Sequence, residues 1–423
     1  MAGTRITACR VCGNTALVPV LEWGECELSG VFPLPGEAVP KGSLDLVRCG
    51  GASGAGSCGL LQLASTYPLG EMYGDNYGYR SGLNPVMQEH LKKLKEWVSG
   101  HVDMEGFRAR DMAVLDIGSN DGTFLGMFEP GPGRLIGVDP TISKFEDFYR
   151  SDIEKVPDFF PSKSLSGVLG DTGVFLVSSI AMFYDLEDPG RFARTVASVL
   201  DPRGVWLFEQ SYLPDMLVKT SYDTVCHEHL EYYSLGVISR ILREADMRII
   251  NILRNDINGG SIAVLAAHRG KGGEGDCETA RNLIGEETRL GLYTDAPYKA
   301  FTRAVGEHAA SLAKLVRDLN RKGSRVWGYG ASTKGNIILQ QCGLGQADLR
   351  GILEVNRYKF GRVTPGTNIP IVDEKGVDLG AEDVLLMLPW HFHDFFLKKL
   401  DRLRRKGVRL LFPLPKIELL GPP

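Results

Sequence analysis

The pattern of apolar and polar positions changes near residue 85. Before about residue 80 the apolar runs are short and are interrupted by glycine and proline, so this segment has too few apolar positions for an independent core of ordinary size. The stretch QEHLKKLKEWV, residues 88–98, has apolar residues at helical spacing and predicts an amphipathic helix. Beyond it, short apolar runs alternate with helical stretches, which predicts βαβ units and a mostly parallel sheet.

Two such α/β units follow each other along the chain. The strand candidates of the first are residues 112–118, 134–140, 174–180, 204–210 and 261–268. The glycine-rich polar run at 269–278 interrupts the pattern, and a helical stretch then extends to about Lys322. The strand candidates of the second unit are residues 324–332, 349–356, 383–390 and 408–415. Open parallel sheets bind ligands at the carboxyl ends of their strands, so the predicted domains 1–80, 81–270 and 271–423 include two ligand crevices.

Composition and charge narrow the class of ligand. The chain has 423 residues, with 48 Lys and Arg against 52 Asp and Glu, and a formal net charge of −4. Without a clustered basic run we expect no nucleic-acid surface. No apolar run approaches the roughly 18 residues of a membrane span, and the first residues lack the layout of a signal peptide. We therefore expect a cytoplasmic protein that binds small ligands and no membrane, as a monomer or weak homo-oligomer.

Five of the eight cysteines lie within the first sixty residues. Cys9 and Cys12 have the C-x-x-C spacing of half a zinc site, and Cys49 and Cys58 flank a Gly/Ala/Ser loop that can bring both sulfurs to the same ion. Four thiolates close the coordination sphere, so such a zinc would stabilise the fold and take no part in chemistry. Free thiols or a disulfide are the alternative.

The first crevice has a turn suited to a nucleoside ligand. The sequence DIGSNDG follows a predicted strand and opens onto the next element, and a glycine turn lets a ligand approach the backbone. Asp116 can accept a hydrogen bond from an α-amino group, which S-adenosylmethionine has and nicotinamide dinucleotides lack, and Asp139 can accept both ribose hydroxyls. A purely structural turn is the alternative. The predicted cofactor-binding residues are Asp116, Gly118, Asn120, Gly122, Asp139, Asp158 and Phe159.

The second crevice begins with GYGASTKGN, residues 328–336, which also joins a strand to a helix. It is neither a Walker A loop nor a complete GxGxxG motif. Backbone N–H groups at a helix N-terminus together with one lysine can still bind a pyrophosphate, although a structural turn is the alternative. The predicted ligands here are Ser332, Lys334 and Asn336, with Lys359 and Arg362 from a basic segment further on.

Several motifs together resemble the nucleotide-sugar C-methyltransferases that act on TDP-4-keto-6-deoxyhexoses. The segments that carry the resemblance are CRVCG (9–13), YGYRSGLN (77–84), DIGSNDG (116–122), CHEHLEYYS (226–234), NGGS (258–261), YGASTKGN (329–336) and KFGRVTPGTNIPI (359–371). The resemblance implies an α/β protein with three parts: a small zinc-binding domain, a central class I S-adenosylmethionine methyltransferase domain, and a second Rossmann-like domain that helps to hold a nucleotide-diphosphate sugar, with Asn258 among its contacts. Two positions depart from the family, which usually has a tyrosine where this chain has Cys226 and a histidine within the segment 181–185.

The resemblance also implies that the His-Glu-His motif removes a proton from the sugar carbon that is methylated. The spacing excludes a zinc-protease helix, because the position four after His227 is Glu231. A histidine near neutral pKa suits the abstraction of a proton beside a ketone. We therefore predict His229 as the base and Glu228 as its partner or an alternative base, with Tyr79 or His227 stabilising the enolate oxygen.

Further residues and other functions stay open at this stage. Glu209 follows a strand of the first unit and is expected to line the same cavity, and Tyr77, with Tyr73 and Tyr79, could project into it. The alternatives to carbon methylation are methylation of a sugar oxygen, a nucleotide-sugar-binding protein without catalysis, and a pyridine-nucleotide reductase. The last is disfavoured because the glycine set of the second crevice is incomplete.

Overall fold

A computed structural model describes residues 3–50, 56–72, 79–103, 112–131, 133–270 and 273–422. The predicted site residue Tyr77, its neighbour Tyr73 and most of the loop between Cys49 and Cys58 lie outside the described residues. Within them the chain forms mixed α/β layers in the predicted order: a small antiparallel unit, a mostly parallel sheet and a second mostly parallel sheet.

The strands and helices are numbered in chain order. The strands are β1 Thr4–Arg5, β2 Leu17–Leu21, β3 Glu25–Glu27, β4 Lys41–Ser43, β5 Leu46–Cys49, β6 Leu61–Leu63, β7 Ser65–Thr66, β8 Ala113–Ile117, β9 Arg134–Val138, β10 Ile153–Val156, β11 Val174–Ile180, β12 Leu200–Ser211, β13 Glu231–Tyr232, β14 Met247–Asn255, β15 Ser261–His268, β16 Arg325–Tyr329, β17 Ile352–Glu354, β18 Ile371–Asp373, β19 Asp383–Met387, β20 Arg409–Phe412 and β21 Glu418–Leu420. The α-helices are α1 Leu69–Met72, α2 Pro85–Ser99, α3 Ile142–Phe145, α4 Lys163–Leu169, α5 Pro189–Val199, α6 Leu213–Lys219, α7 Leu235–Glu244, α8 Glu278–Arg289, α9 Ala296–Arg321, α10 Thr333–Cys342, α11 His393–Lys399 and α12 Asp401–Arg405.

The middle sheet has the strand order β10-β9-β8-β11-β12-β15-β14. Its first five strands are parallel, whereas β15 runs antiparallel between β12 and β14. All five predicted strands of this unit are confirmed. The predicted helix at 88–98 is α2, which begins where Asn84 accepts a hydrogen bond from the Val86 N–H group and Pro85 occupies the first turn.

The C-terminal sheet has the order β18-β17-β16-β19-β20-β21, and only β21 is antiparallel. The first strand of the unit, β16, has β17 on one side and β19 on the other, so the strand order reverses between β16 and β19. A crevice forms at such a switch point, outside the carboxyl ends of the strands. The turns after β16 and β19 therefore form the walls of the second crevice.

The N-terminal unit shares a sheet with the middle of the chain. Its strands β2, β5 and β6 form an antiparallel sheet whose fourth strand is β13, with Glu231 opposite Gln62 and Tyr232 opposite Leu61. The buried core continues from this unit through residues 213–232 into the C-terminal sheet. This shared core explains how a segment with few apolar residues folds. The domain boundaries at 80/81 and 270/271 stay a prediction.

Among the described residues, no helix combines the length and the apolar composition that a membrane-spanning helix requires.

Candidate active site

The four predicted metal-binding cysteines come together in the N-terminal unit. The Sγ atoms of Cys9, Cys12, Cys49 and Cys58 all lie within 4.8 Å of one another. The Sγ–Sγ distances are 3.5 Å between Cys9 and Cys58 and 3.5 Å between Cys12 and Cys49, as expected for thiolates around one tetrahedral ion rather than for disulfides. The cluster therefore fits a structural zinc ion.

Arg10, between two of these cysteines, connects the metal turn to the His-Glu-His segment. Its guanidinium donates hydrogen bonds to the Leu63 and Ser65 carbonyls and to Thr66 Oγ1, and its Nε atom lies 3.7 Å from a Glu231 carboxylate oxygen. Both side chains of this ion pair are almost fully buried. The metal turn and the segment that follows His229 are thus joined by one buried side chain.

The first crevice opens at the turn after β8. Gly118, Asn120 and Gly122 adopt positive φ angles, and the ideal Cβ position of Gly118 lies 3.1 Å from Met182 Cγ, so a larger side chain would strain the backbone and displace Met182. Asp139 follows β9, and its carboxylate accepts hydrogen bonds from the Asn120 N–H group at 2.9 Å and the Thr141 N–H group at 2.6 Å. The predicted nucleoside turn is thereby held rigid at the carboxyl end of the sheet.

Asp116 occupies an unusual electrostatic position next to this turn. The side chain is buried, burial raises the pKa of its carboxyl to about 7, and the hydrogen bond from Ser178 Oγ at 2.6 Å partly opposes the shift. The negative charge of Asp139 adds to the rise. A cationic amino group placed beside Asp116 would be paired with a carboxylate that has few other partners, which fits the ammonium group of S-adenosylmethionine.

Three other residues predicted for this region lie at its edge. Phe159 is 40% exposed and accordingly available as one face of a binding site, whereas Asp158 accepts a hydrogen bond from the Phe159 N–H group. Tyr79 contributes its backbone carbonyl, which accepts a hydrogen bond from Asn120 Nδ2, and its ring is 48% exposed. Tyr79 thus covers the cofactor turn, and its role toward an enolate oxygen stays a prediction.

The two histidines of the His-Glu-His motif point in different directions. His227 is fully buried in the N-terminal unit, where its Nε2 atom lies 3.0 Å from the Gly42 carbonyl and its ring contacts Tyr67. Burial lowers the pKa of His227 to about 4. The expectation that His227 stabilises an enolate oxygen is therefore not met, because its ring packs inside the N-terminal unit.

His229 is oriented by a backbone group. Its Nδ1 atom lies 2.8 Å from the Thr224 carbonyl oxygen, so Nδ1 carries the proton and donates it, which leaves Nε2 with a free lone pair. Burial, together with the nearby Lys334 charge, lowers the pKa of His229 to about 3. The Glu228 carboxylate instead lies against Gly30 of the N-terminal unit and has one buried oxygen without a hydrogen-bond partner among the described residues. Thr224, not Glu228, therefore orients the predicted base.

A short segment connects His229 to the cofactor turn. Residues 181–185 follow β11, and Met182 contacts the position of Gly118 while the Tyr184 ring lies 4.2 Å from the His229 ring, centroid to centroid. This segment therefore contacts both the donor turn and the predicted base.

The second crevice faces the same histidine from the C-terminal unit. Lys334 Nζ donates a hydrogen bond of 2.8 Å to the Asn258 carbonyl oxygen, so this side chain extends across to the middle unit. Asn258 itself has a positive φ of 56°. On the opposite wall, Trp390 Nε1 donates a hydrogen bond of 2.7 Å to the buried carboxylate of Asp223. Lys334 and Asn258, both predicted from the sequence, are thus brought together.

The remaining predicted ligands all make hydrogen bonds within the protein, and two of them contact the N-terminal unit. Ser332 caps α10 by accepting a hydrogen bond from the Gly335 N–H group, and Asn336 Nδ2 donates to the Ser29 carbonyl. Lys359 Nζ donates to the Ala331 carbonyl, and Arg362 donates to the Phe32 carbonyl. These side chains surround the crevice, and their binding of a diphosphate stays a prediction.

The glycine turn itself binds its own protein groups. The Ala331 N–H group donates a hydrogen bond of 2.8 Å to the Glu354 carboxylate, and the ideal Cβ positions of Gly330 and Gly335 lie 2.8 Å from Pro389 and Leu388. These glycines therefore allow close packing of α10 on the turn after β19. Because the Ala331 N–H group already donates to Glu354, it is not available to bind a phosphate.

Glu209, predicted to line the cavity, is held at the end of β12. One carboxylate oxygen lies 2.6 Å from His90 Nε2, and the other accepts a hydrogen bond of 2.6 Å from Asn255 Nδ2. The side chain is buried at the carboxyl edge of the middle sheet. Its contact with a substrate stays a prediction.

Sequence reasoning missed four residues of this region: Asp223, Thr224, Tyr184 and His391. Asp223 contributes a buried carboxylate and Thr224 contributes a backbone carbonyl, and neither group can be recognised from a sequence motif. His391, by contrast, follows the β19 apolar run by four residues, in the position where α/β units place ligand-binding side chains. That spacing was the signal that could have found it.

Comparison with known families agrees with this architecture. The family model of a zinc binding domain matches residues 9–73, a methyltransferase domain model matches 87–252, and the model of a C-methyltransferase C-terminal domain matches 256–415. The third model begins ahead of β15, which nevertheless belongs to the middle sheet. The three models cover the three units in order.

A full-length relative has the same organisation. The chain is 28% identical to the C-methyltransferase NovU of Streptomyces niveus over 422 residues, which is 98% of this chain and 97% of NovU. The alignment therefore extends through all three units and is not confined to the methyltransferase domain.

Solved structures overlap this chain only in part. The mitomycin 7-O-methyltransferase MmcR is 15% identical and covers 44% of this chain and 55% of its own, with a TM-score of 0.33. LepI in complex with SAM is 15% identical and covers 38% of this chain and 44% of its own, with a TM-score of 0.32. Similarity this low assigns no function. The three family models, the full-length relative and the cysteine cluster together show an S-adenosylmethionine-dependent methyltransferase with an N-terminal zinc-binding unit.

Proposed function

We propose that this protein methylates a carbon atom next to the ketone of a nucleotide-diphosphate-linked deoxysugar, by removing a proton from that carbon before methyl transfer. The observation that carries the proposal is the His229 imidazole, whose Nε2 lone pair is left free because Nδ1 donates to the Thr224 carbonyl. An acceptor carbon needs such a base, since it cannot attack a methyl group while it still holds its proton. Methylation of a hydroxyl oxygen, by contrast, breaks no C–H bond.

The protonation state of His229 suits this role. Its pKa of about 3 keeps the imidazole neutral at physiological pH, so nearly every molecule carries the base in its active form. The neighbouring Lys334 charge disfavours the imidazolium in the resting site. Once negative charge develops on the substrate, its attraction to the imidazolium offsets the repulsion between the imidazolium and Lys334.

The donor side of the site is formed by the turn after β8. Asp116, Asp139 and the open backbone at Gly118 would hold the amino acid and ribose portions of S-adenosylmethionine. When bound, the cofactor supplies a sulfonium methyl group. Met182 contacts the Gly118 position of this turn and Tyr184 packs on His229, so the segment 181–185 connects the donor turn to the base.

The acceptor side is formed by the C-terminal unit. Lys359 and Arg362 bring positive charge to the crevice after β16, where each donates a hydrogen bond to a backbone carbonyl, and this charge favours a sugar diphosphate as the ligand. The full-length relationship to NovU, itself a C-methyltransferase, supports carbon as the acceptor atom. The nucleotide sugar as substrate class is supported by these cationic side chains and by the sequence motifs of the crevice.

The proposal is tested with TDP-4-keto-6-deoxyglucose as the probe. Incubation with the zinc-loaded enzyme and 13C-methyl-labelled S-adenosylmethionine is expected to give a product whose new methyl resonance is that of a methyl bonded to carbon. A methoxy resonance would support methylation of oxygen instead. With the substrate deuterated beside the ketone, the label must be lost from the methylated carbon, and its retention there would refute the mechanism.

The matched variants are His229→Asn and His393→Gln. Asparagine can still donate to the Thr224 carbonyl but has no base at the Nε2 position, so we expect carbon methylation to fall by about 100-fold to 10,000-fold. His393 is an exposed histidine that pairs with Asp394 and Glu418, and its replacement should leave the rate unchanged. Equal rates for His229→Asn and the wild type would show that another group removes the proton.

A further inference from the structure

We propose that His391 is a further catalytic residue: together with the Lys334 ammonium, it donates a hydrogen bond to the ketone oxygen of the acceptor, the oxygen that becomes negative when His229 removes the proton. This inference rests on the proposed function and adds an oxyanion site to it. None of the motifs that indicate the family includes His391.

The fold places His391 and Lys334 on opposite walls of one crevice. Lys334 lies in the first turn of α10, after β16, and His391 lies four residues after the end of β19. The strand order of the C-terminal sheet reverses between β16 and β19, and ligands of open α/β sheets bind where the order reverses. Both side chains are therefore at the binding position that this topology favours.

Both walls also converge on the same two residues of the middle unit. Lys334 Nζ donates to the Asn258 carbonyl, and the ideal Cβ position of the adjacent Gly259 lies 2.9 Å from the Trp390 ring. His391 directly follows Trp390. The two walls thus meet around residues 258–259, next to the residue that carries one donor and at the residue that binds the other.

A single short turn connects His391 to the base. Asp223 accepts the hydrogen bond from Trp390 Nε1, and the next residue, Thr224, accepts the hydrogen bond from His229 Nδ1. Adjacent residues of one turn therefore hold both the base and the segment that carries His391. The Lys334 charge lowers the pKa of both histidines, which is consistent with an ammonium group close to each of them.

The imidazole of His391 has one atom available for a ligand. Its Nδ1 atom is sealed from solvent and, among the described residues, has no hydrogen-bond partner, whereas Nε2 is not sealed in this way. The ring is only partly buried and packs on Phe392 with centroids 4.2 Å apart. Burial also keeps the ring neutral, because it lowers the pKa of His391 well below its ordinary value. A neutral ring with a sealed Nδ1 can place its proton on Nε2 and donate it into the crevice.

The proposed step is balanced as follows. His229 Nε2 takes the proton from the carbon beside the ketone, and the electron pair of that C–H bond forms the carbon–carbon double bond of the enolate. The carbonyl π pair moves to the oxygen, whose charge is stabilised by the Nε2–H group of His391 and by Lys334. Hydrogen bonds that strengthen as charge develops lower the barrier more than they tighten ground-state binding.

The test measures proton exchange without methyl transfer. TDP-4-keto-6-deoxyglucose is incubated in D2O with the zinc-loaded enzyme and S-adenosylhomocysteine, and NMR follows deuterium entry beside the ketone. His391→Phe keeps an aromatic ring but has no donor, and we expect exchange to fall about 100-fold while the dissociation constant of the probe, from calorimetry, stays unchanged. His391→Gln places an N–H donor near the Nε2 position and should recover part of the rate.

Two further variants keep the test decisive. His391→Asn carries an amide that is too short to reach the Nε2 position, so it should lose exchange as His391→Phe does, even if the phenylalanine variant does not fold. His393→Gln, two residues along the same segment, should exchange at the wild-type rate. Melting temperatures establish which variants are folded.

Each outcome bears on the inference. Wild-type exchange in a folded His391→Phe or His391→Asn variant would overturn the role of His391 while the proposed function stands. So would a loss that arises only from weaker probe binding, or a glutamine variant no faster than the phenylalanine variant. If the wild type neither exchanges nor methylates the probe, the proposed acceptor class is wrong, and the oxyanion site falls with it.

Discussion

The affinity for S-adenosylmethionine should depend on pH through Asp116. The pKa of this carboxyl is raised to about 7 by burial, so it is largely protonated at pH 6 and ionised at pH 8. Only the ionised form attracts the ammonium group of the ligand. A pKa near 7 gives about 9% ionised carboxyl at pH 6 and about 91% at pH 8, which predicts roughly tenfold weaker binding at pH 6.

The hydrogen bond from Ser178 provides a second test of the same group. Its Oγ atom donates to Asp116 at 2.6 Å and holds the pKa lower than burial alone would. A hydrogen bond to a charged group contributes about 1.5–3 kcal/mol, so Ser178→Ala should move the midpoint of the binding curve upward by about 1–2 pH units. Ser179→Ala is the matched control, because Ser179 accepts a hydrogen bond from Trp206 Nε1, whereas Ser178 is the serine that donates to Asp116.

Isothermal titration calorimetry between pH 5.5 and 9 measures both effects. The amino group of the ligand also titrates in this range, and Asp116→Asn supplies the baseline because only the ligand titration remains in that variant. After subtraction, the wild type should retain a transition near pH 7. A flat difference curve, or an unchanged midpoint in Ser178→Ala, would refute the assignment of Asp116 as the group that binds the ammonium.

Three other perturbations have defined outcomes. Chelation of zinc should lower the melting temperature and slow proton exchange together, because the metal turn is joined to the strand after His229, and re-addition of zinc should restore both; intact exchange in the metal-free protein would contradict this. Arg10→Met should reduce the free energy of unfolding by at least about 3 kcal/mol in urea denaturation, since it leaves the carbonyls of two buried residues, Leu63 and Ser65, without this donor and breaks the buried ion pair with Glu231. Arg5→Met, on an exposed side chain, should change it by less than about 0.5 kcal/mol. With S-adenosylhomocysteine saturating, exchange should persist from pH 8 to pH 5, because the His229 pKa of about 3 keeps the base unprotonated, and a decline centred near pH 6.5 would show an ordinary histidine.

The sequence predicted the parallel sheets better than their edges. The run VFLVSSI, 174–180, coincides with β11 because a strand covered on both faces is apolar throughout, and such a run has clear ends. In contrast, β14 was not predicted. It is the edge strand of the middle sheet, its sequence MRIINILRN mixes polar and apolar positions, and half-exposed strands have no continuous apolar signal.

Motifs indicated the candidate site residues, but not their hydrogen-bond partners. The four cysteines were predictable because metal ligation fixes both residue type and spacing. The partner of His229 was not predictable, because a carbonyl such as that of Thr224 is present in every residue. Nor does the sequence show that Glu231 pairs with Gln62 across a sheet, since that pairing joins positions 169 residues apart and depends on the packing of two units.

The segment from Tyr222 to Tyr232 contacts all three units. Its first turn holds Trp390 of the C-terminal unit through Asp223 and holds His229 through Thr224, and its last two residues complete the sheet of the zinc-binding unit. A loop fixed at only one of these points would let the relative positions of donor, base and acceptor fluctuate. An error of about 1 Å in such an arrangement can reduce the rate by a factor of about 100. A structural zinc remote from the reacting atoms would thereby affect the rate, because it would anchor the strand that follows the predicted base and limit the positions that His229 can adopt.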